Sequence, residues 1–329
     1  EACGQEPCRC AAVKKKRRQE QERPQGQNRI GGIMAEEKGT IVLVGFYNIK
    51  ALGVRYLESA LKKNGGRVVT VFYKNFNSVR PKPTTEKELS LFIERVKREN
   101  PVLVGLSVMS SMYLETVDRL VDVLLKENLT VVCGGAYATM FPDYFLSRGV
   151  KYVIRSDGEI PLSMLAEAVK DGASVAEIPS LCRMEDGEKK ETPITGLEMD
   201  IDKYGLPAIR CEHAGYIEND TLTEGDPQLG TRSYEIIASR GCPFTCSYCC
   251  CINLRRLMPK GAGVRTRSVE SVMEELNEAK RQCKKLVFMH FYDEIFPNLP
   301  GWVAEFCRRY PEEIHMPFTI WSHPKMVNA

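Results

Sequence analysis

From Thr40 onward, short apolar runs alternate with amphipathic segments, and few folds accept that pattern. "TIVLVGFY" (Thr40–Tyr47), "RVVTVFY" (Arg67–Tyr73), "PVLVGLSVM" (Pro101–Met109), "LTVVCGG" (Leu129–Gly135) and "KYVIRS" (Lys151–Ser156) read as buried strands. Between and after them, the segments 51–66, 85–100, 113–128 and 159–172 carry apolar residues at helical spacing. Strands separated by helices imply a parallel sheet with right-handed crossovers, hence an α/β doubly wound domain over 38–171. Ligands of such sheets bind beyond the carboxyl ends of the strands. The loops to inspect are therefore "FYNIKALG", "SVMSSMY", "GGAYATMFPD" and "SDGE". None is a GxGxxG or GxxxxGK[ST] phosphate loop, which removes the main support for a dinucleotide-binding or nucleotide-hydrolysing function.

Residues 172–232 have weaker periodicity, several prolines and the polar stretch "HAGYIENDTLTEGDPQLGTR". They read as a linker with a few short strands, including a hairpin turning at Asp186-Gly187. From Ser233 the alternation resumes over 233–329. "SYEIIAS", "KLVFMHF" and "PFTIWS" read as strands, with helices "SVESVMEELNEAKRQ" and "GWVAEFCRRY" between them, which is the beginning of a barrel.

The composition, 43% hydrophobic and 27% charged, suits a globular protein of about two domains. No apolar run is long enough to span a membrane and no signal sequence is evident, so a cytoplasmic location is expected, without membrane or nucleic-acid partners. The net charge of +3 is local: residues 1–33 hold eight Lys/Arg against four Asp/Glu, leaving 38 of 46 basic and 39 of 43 acidic residues in the remainder. That segment, with "KKKRR" at Lys14–Arg18, reads as a solvated, disordered extension. The codons of "GGIM" (Gly31–Met34) can be written as a purine-rich, ribosome-binding-like stretch, so the functional protein is expected to begin at Met34 and the extension not to be native. A metal finger built on Cys3, Cys8 and Cys10 is the competing reading, one ligand short of zinc's usual four.

Thirteen cysteines in a reducing compartment point to metal or redox chemistry rather than disulfides. Five of them fall within "SRGCPFTCSYCCC" (Ser239–Cys251), and Cys242, Cys246 and Cys249 have the spacing CxxxCxxC directly after an apolar strand. A loop of that span can place three thiolates on one face of an iron-sulfur cube and leave the fourth iron to an exogenous ligand, where clusters are otherwise held by four cysteines. Zinc bound with help from Cys250 or Cys251, or a fully ligated electron-transfer cluster, are the alternatives.

"SRGCPFTCSYC" resembles the signature of radical S-adenosylmethionine enzymes, with Tyr248 at the aromatic position before the last cysteine. The resemblance implies a partial (β/α) barrel carrying a 4Fe-4S cluster, with S-adenosylmethionine chelating the open iron and being cleaved to a 5'-deoxyadenosyl radical. It also implies roles near the amino end of S-adenosylmethionine for Asp293 and Glu294, in "FMHFYDEIF". The first domain resembles the flavodoxin-like, cobalamin-binding domain that precedes the barrel in one group of these enzymes, on "GLSVMSSMY", "GGAYATMFPD" and "VIRSDGEIPLSML". That implies corrinoid contacts from Asn48, Ser107, Met109, Gly134, Gly135, Tyr137, Thr139, Gly158 and Glu159. One departure stands out: many such domains ligate cobalt through a DxHxxG histidine, whereas this chain has no histidine before His213.

The expected function is cobalamin-dependent methyl transfer, or another radical rearrangement, on a small molecule, with a reductant such as flavodoxin or ferredoxin. A binding module or inactive fragment without turnover is the alternative. The chain ends after the third barrel strand, whereas barrels of this family continue through further strand-helix units, so this polypeptide alone is expected to turn over poorly. His290, His315 and His323 read as packed or surface residues, with His323 the one placed at a strand end facing the site.

Overall fold

A computed structural model of the chain describes residues 39–75 and 81–326. The extension 1–33 and its cysteines lie outside the described residues. The first strands and helices follow the periodicity closely: β1 (Ile41–Phe46), α1 (Leu52–Lys63), β2 (Val68–Tyr73), α2 (Glu86–Arg98), β3 (Leu103–Ser107), α3 (Leu114–Lys126) and β4 (Val131–Gly134). Two short helices then intervene, α4 (Ala136–Met140) and α5 (Pro142–Leu146), before β5 (Tyr152–Ile154) and α6 (Glu159–Asp171). Every residue of β1 and β2 is buried, as expected of central parallel strands covered on both faces. Alternation along β1 divides the cover. Val42, Val44 and Phe46 pack with Phe92 and Val96 of α2 and Val117 and Leu120 of α3, while Ile41 and Leu43 pack with Leu61 of α1 and Leu162 and Leu165 of α6. Helix α2 starts on a capping box in which Thr85 and Glu88 satisfy each other's backbone N–H groups.

The segment expected to be a linker with a few short strands carries the expected hairpin at Asp186-Gly187, and its strands join the sheet. It forms two hairpins, β6 (Leu181–Glu185) with β7 (Glu188–Glu191), and β8 (Ala214–Glu218) with β9 (Thr221–Glu224). The first turns at Asp186-Gly187 and the second at Asn219-Asp220, all four residues with φ > 0 as tight hairpin turns require. Strand order is β7-β6-β5-β4-β3-β1-β2-β8-β9, so one hairpin lies at each side of the sheet, the first pairing antiparallel with β5 and the second adding β8 as a sixth parallel strand beside β2. The order reverses between β1 and β3, which opens a crevice at their carboxyl ends.

The rest of the chain supplies β10 (Ser233–Ile236), β11 (Ser239–Arg240), α7 (Cys251–Leu257), β12 (Arg265–Thr266), α8 (Val269–Gln282), β13 (Phe288–Phe291), α9 (Pro300–Glu313) and β14 (Phe318–Thr319). β10, β13 and β14 form a parallel sheet in that order. Tyr234, Ile236, Met289 and Phe291 turn into a core with Met273 and Leu276 of α8 and Phe306 and Tyr310 of α9. β11 and β12 make a separate two-residue antiparallel ladder, which the apolar pattern does not signal. Among the described residues no helix is long and apolar enough to cross a membrane.

Candidate functional site

The strand ends of the first sheet and the inner face of the second enclose one cavity of about 1210 Å³. Its first wall comes from the loops after β1, β3, β4 and β5, and its floor reaches into the sheet at Leu43, Gly45, Gly105 and Val132. Gly45 and Gly105 line a slot between β1 and β3 and are closely packed, since a Cβ would stand 2.8 Å from the Ala51 Cβ at the first and 3.0 Å from the Leu43 side chain at the second. Gly135 keeps the slot's rim narrow: it has φ of 94°, and a Cβ there would stand 2.6 Å from the carbonyl oxygen of Val108. Beside it, a Cβ on Gly134 would meet nothing closer than the Ile154 carbonyl oxygen at 3.7 Å, so that position opens onto the cavity.

The second wall carries the cysteine loop. Gly241 (φ 101°) turns the chain out of β11, and Arg255 of α7 donates to the carbonyl oxygens of Cys242 (3.0 Å) and Pro243 (2.8 Å), tying the loop's start to the helix that follows it. Cys242, Cys246 and Cys249 are free, half-buried thiols. Among the described residues, three ligand atoms within 4.8 Å of one another occur at Cys249, Cys250 and Cys251. Cys242 and Cys246 are not part of that group. His323 stacks on Phe244 of this loop, with ring centroids 4.1 Å apart.

Of the residues singled out in the sequence, Asn48, Ser107, Met109, Gly134, Gly135, Thr139, Gly158, Glu159, Cys242, Asp293 and Glu294 line this one cavity. Tyr137 does not: its ring turns into an aromatic group with Phe141, Tyr144 and Phe145. Tyr248, 91% exposed, and the cysteines Cys246 and Cys249 also lie off the cavity's lining, which Cys242 alone of the three spaced cysteines reaches. Several polar side chains are already committed to the protein. Asn48 accepts from the Lys50 N–H (2.8 Å), and the Thr139 hydroxyl donates to the Gly135 carbonyl (2.9 Å) and accepts from the Ser156 N–H (3.0 Å). Glu159 accepts from Arg240 at 2.5 Å.

Asp293 is buried and accepts from the Ala238 N–H (3.0 Å) and the Ser239 hydroxyl (2.6 Å), bracing the approach to the cysteine loop, while Glu294 is exposed. Burial pushes the Asp293 carboxyl up to about 6, with those hydrogen bonds opposing it. The folded protein thus holds this proton more tightly than the unfolded chain. The contribution to stability is full below the ordinary value of 3.8 and fades as pH rises to about 6. Asp293→Asn is expected to flatten that slope, worth roughly 2–3 kcal/mol in urea unfolding compared at the two ends of the range. An unchanged slope would show that Asp293 keeps an ordinary acidity.

An ion network that no sequence pattern signals joins the two walls. Arg240 bridges Asp157 (3.3 Å) and Glu159, its guanidinium between the rings of Tyr56 (5.0 Å) and Tyr204 (4.9 Å). Arg265, opposite Arg240 in the β11–β12 ladder, also holds Asp157 (2.6 Å). Burial alone would raise the Asp157 carboxyl, but Arg240 and Arg265 carry it below its usual range. Lys50, after β1, reaches Glu235 (3.1 Å) and Ser233 (2.8 Å) on β10. The only hint lay in position: Arg240 stands two residues before Cys242, and Asp157 and Glu159 lie within "SDGE".

Comparison with known proteins adds the following. Residues 39–166 match the B12-binding domain family. The chain is 26% identical over 185 residues to the uncharacterized methyltransferase PH0819 of Pyrococcus horikoshii, covering 55% of this chain and 37% of that protein. It is 22% identical over 307 residues to cytidylyl-2-hydroxyethylphosphonate methyltransferase of Streptomyces wedmorensis, covering 83% and 55%. Among solved structures, the radical S-adenosylmethionine methyltransferase TsrM of Kitasatospora setae, with cobalamin and a 4Fe-4S cluster bound, superposes with a TM-score of 0.64 at 19% identity, covering 88% of this chain and 57% of that one. This last likeness is one of fold. The chain spans little more than half, or less, of the length of the proteins it matches.

Proposed function

We propose that the chain binds a corrinoid and a 4Fe-4S cluster at the shared cavity and serves methyl transfer to a small-molecule substrate, a reading supported by the match of residues 39–166 to the B12-binding domain family and by the likeness of fold to a radical S-adenosylmethionine methyltransferase. The observation that carries this reading is the continuity of the cavity, which runs from Gly45 and Gly105 inside the first sheet to Cys242 on the opposite wall. When bound, the cluster supplies an electron for reductive cleavage of S-adenosylmethionine and the corrinoid supplies a transferable methyl group.

The chain's own residues do the rest. Cys242, Cys246 and Cys249 would hold three irons; Gly134 and Gly135 would let backbone approach the corrinoid; and apolar Leu43, Val54 and Leu162 would keep water from its buried end. The donor set fits a corrinoid without a histidine ligand from the first domain, since residues 1–212 contain no histidine. Glu294, exposed beside the cavity, is placed to meet a polar group of S-adenosylmethionine, and Asp293 to hold Ser239 and the strand end in place. A one-electron reductant such as flavodoxin or ferredoxin is the expected partner.

Gly134→Val tests the slot. Its side chain would project into the cavity, and overpacking of about 1–3 kcal/mol corresponds to roughly 5- to 150-fold weaker hydroxocobalamin binding in a spectroscopic titration. Unaltered affinity in a variant that melts like the wild type would place the corrinoid elsewhere or remove it from the account.

A further inference from the structure

Two features leave the position of the cysteine loop underdetermined by backbone alone. The strand that leads into it, β11, has two residues, and its ladder with β12 is equally short. Neither β11 nor β12 joins the three-stranded sheet. Arg255 and Asp293 brace the loop's start from within its own wall, whereas the side chain of Arg240 anchors it to the other wall of the cavity.

We propose that Arg240 is a positioning residue that sets the separation between the cysteine loop and the corrinoid slot, by clamping the residue before Gly241 to the loop joining β5 and α6. This rests on the two-cofactor reading of the cavity. The guanidinium forks between Asp157 and Glu159 and lies between the rings of Tyr56 and Tyr204, a geometry that uses its planarity, its several donors and its fixed charge together. Asp157 is held from behind by Arg265 and by the Tyr204 hydroxyl (3.1 Å). The same loop takes a second tie from the far side of the cysteines, where the Ser156 hydroxyl meets the Met258 sulfur at 3.1 Å.

The loop itself is fixed to the slot. The Ser156 N–H donates to Thr139, whose hydroxyl donates to the carbonyl of Gly135 at the rim. A contiguous set of contacts therefore runs from Gly135 through Thr139, Ser156, Asp157 and Arg240 to Cys242. A lysine could supply the charge but neither the fork nor the stacked plane.

The test is a distance, read by pulsed electron paramagnetic resonance between cob(II)alamin and the reduced cluster in the full chain loaded anaerobically with both. The wild type is expected to give one narrow distance distribution. Arg240→Met should keep its iron and corrinoid but lose the narrow peak, and Arg240→Lys should fall between the two. Glu159→Gln, which weakens the clamp from the opposite wall, carries the test if Arg240→Met does not fold. A narrow distribution retained in the folded variants overturns the positioning role while leaving the proposed function intact. A wild-type chain that takes up only one of the cofactors overturns the proposed function, and this role with it.

Discussion

Cys246→Ala is expected to reduce the iron of the anaerobically reconstituted chain from about four atoms per chain to less than one, with loss of the cluster's visible absorption. The reason is the shape of the loop. Cys246 sits midway between Cys242 and Cys249, and the backbone bond from the Cys249 N–H to the Cys246 carbonyl (3.1 Å) closes the turn that presents the second and third thiols. A cube held by three thiolates has no spare ligand at that corner. Cys250 and Cys251 are adjacent to Cys249, not to Cys246, so they cannot replace its sulfur without unwinding the start of α7. Cys250→Ala, by the same reasoning, should retain its iron. If Cys250→Ala instead loses the metal while Cys246→Ala keeps it, the ligands are the crowded set Cys249, Cys250 and Cys251, and the loop is a site for a single thiophilic ion.

The largest loss of stability is expected from Asp226→Ala. Asp226 accepts two hydrogen bonds of 2.7 Å from the Arg55 guanidinium and others from the N–H groups of Cys211 (2.8 Å) and Gln228 (2.9 Å). Both charged side chains have no exposed surface, and Arg55 also lies over the ring of Phe72, 4.8 Å from its centroid. Arg55 belongs to α1 of the first domain, whereas Asp226 belongs to the segment leading into β10. Truncating the carboxylate strands a buried cation with only carbonyl oxygens and the Cys211 sulfur as partners, at a cost of about 3–5 kcal/mol. Denaturant unfolding should show the midpoint falling with little change in slope. Glu127→Ala provides the contrast. It breaks the pair with Lys97, in which both side chains are well exposed, and should cost less than about 1 kcal/mol. Similar losses in the two variants would mean that the Arg55–Asp226 pair is solvated rather than buried.

The parallel core was legible because its strands are apolar throughout and its helices carry clear 3.6-residue stripes, as in β2 and α3. The hairpin of β8 and β9 was not, since "AGYIENDTLTE" buries only Ala214 on one face of β8 and Ile217 on the other, and the edge strand β9 is polar and largely exposed. Such a pair lacks the apolar run that marks a central strand. At the site, spacing alone picked out the cysteines, and small residues after β4 picked out the slot. Tyr137 shows the limit of adjacency: it follows the glycine pair by two positions, yet the short helix α4 rotates its ring away from the cavity and into the core. Arg240 shows the reverse. Its importance depends on Asp157 and Glu159, more than 80 residues upstream, and on two tyrosines from separate segments, a meeting that only the fold creates.

The central claim, an open iron-sulfur cluster facing a corrinoid slot, is tested most directly by electron paramagnetic resonance of the reduced, iron-reconstituted chain with and without S-adenosylmethionine. A four-iron signal that shifts when S-adenosylmethionine is added is the predicted result, because the iron without a protein ligand is then chelated. A cluster signal indifferent to S-adenosylmethionine, or tight zinc in place of iron, would contradict it.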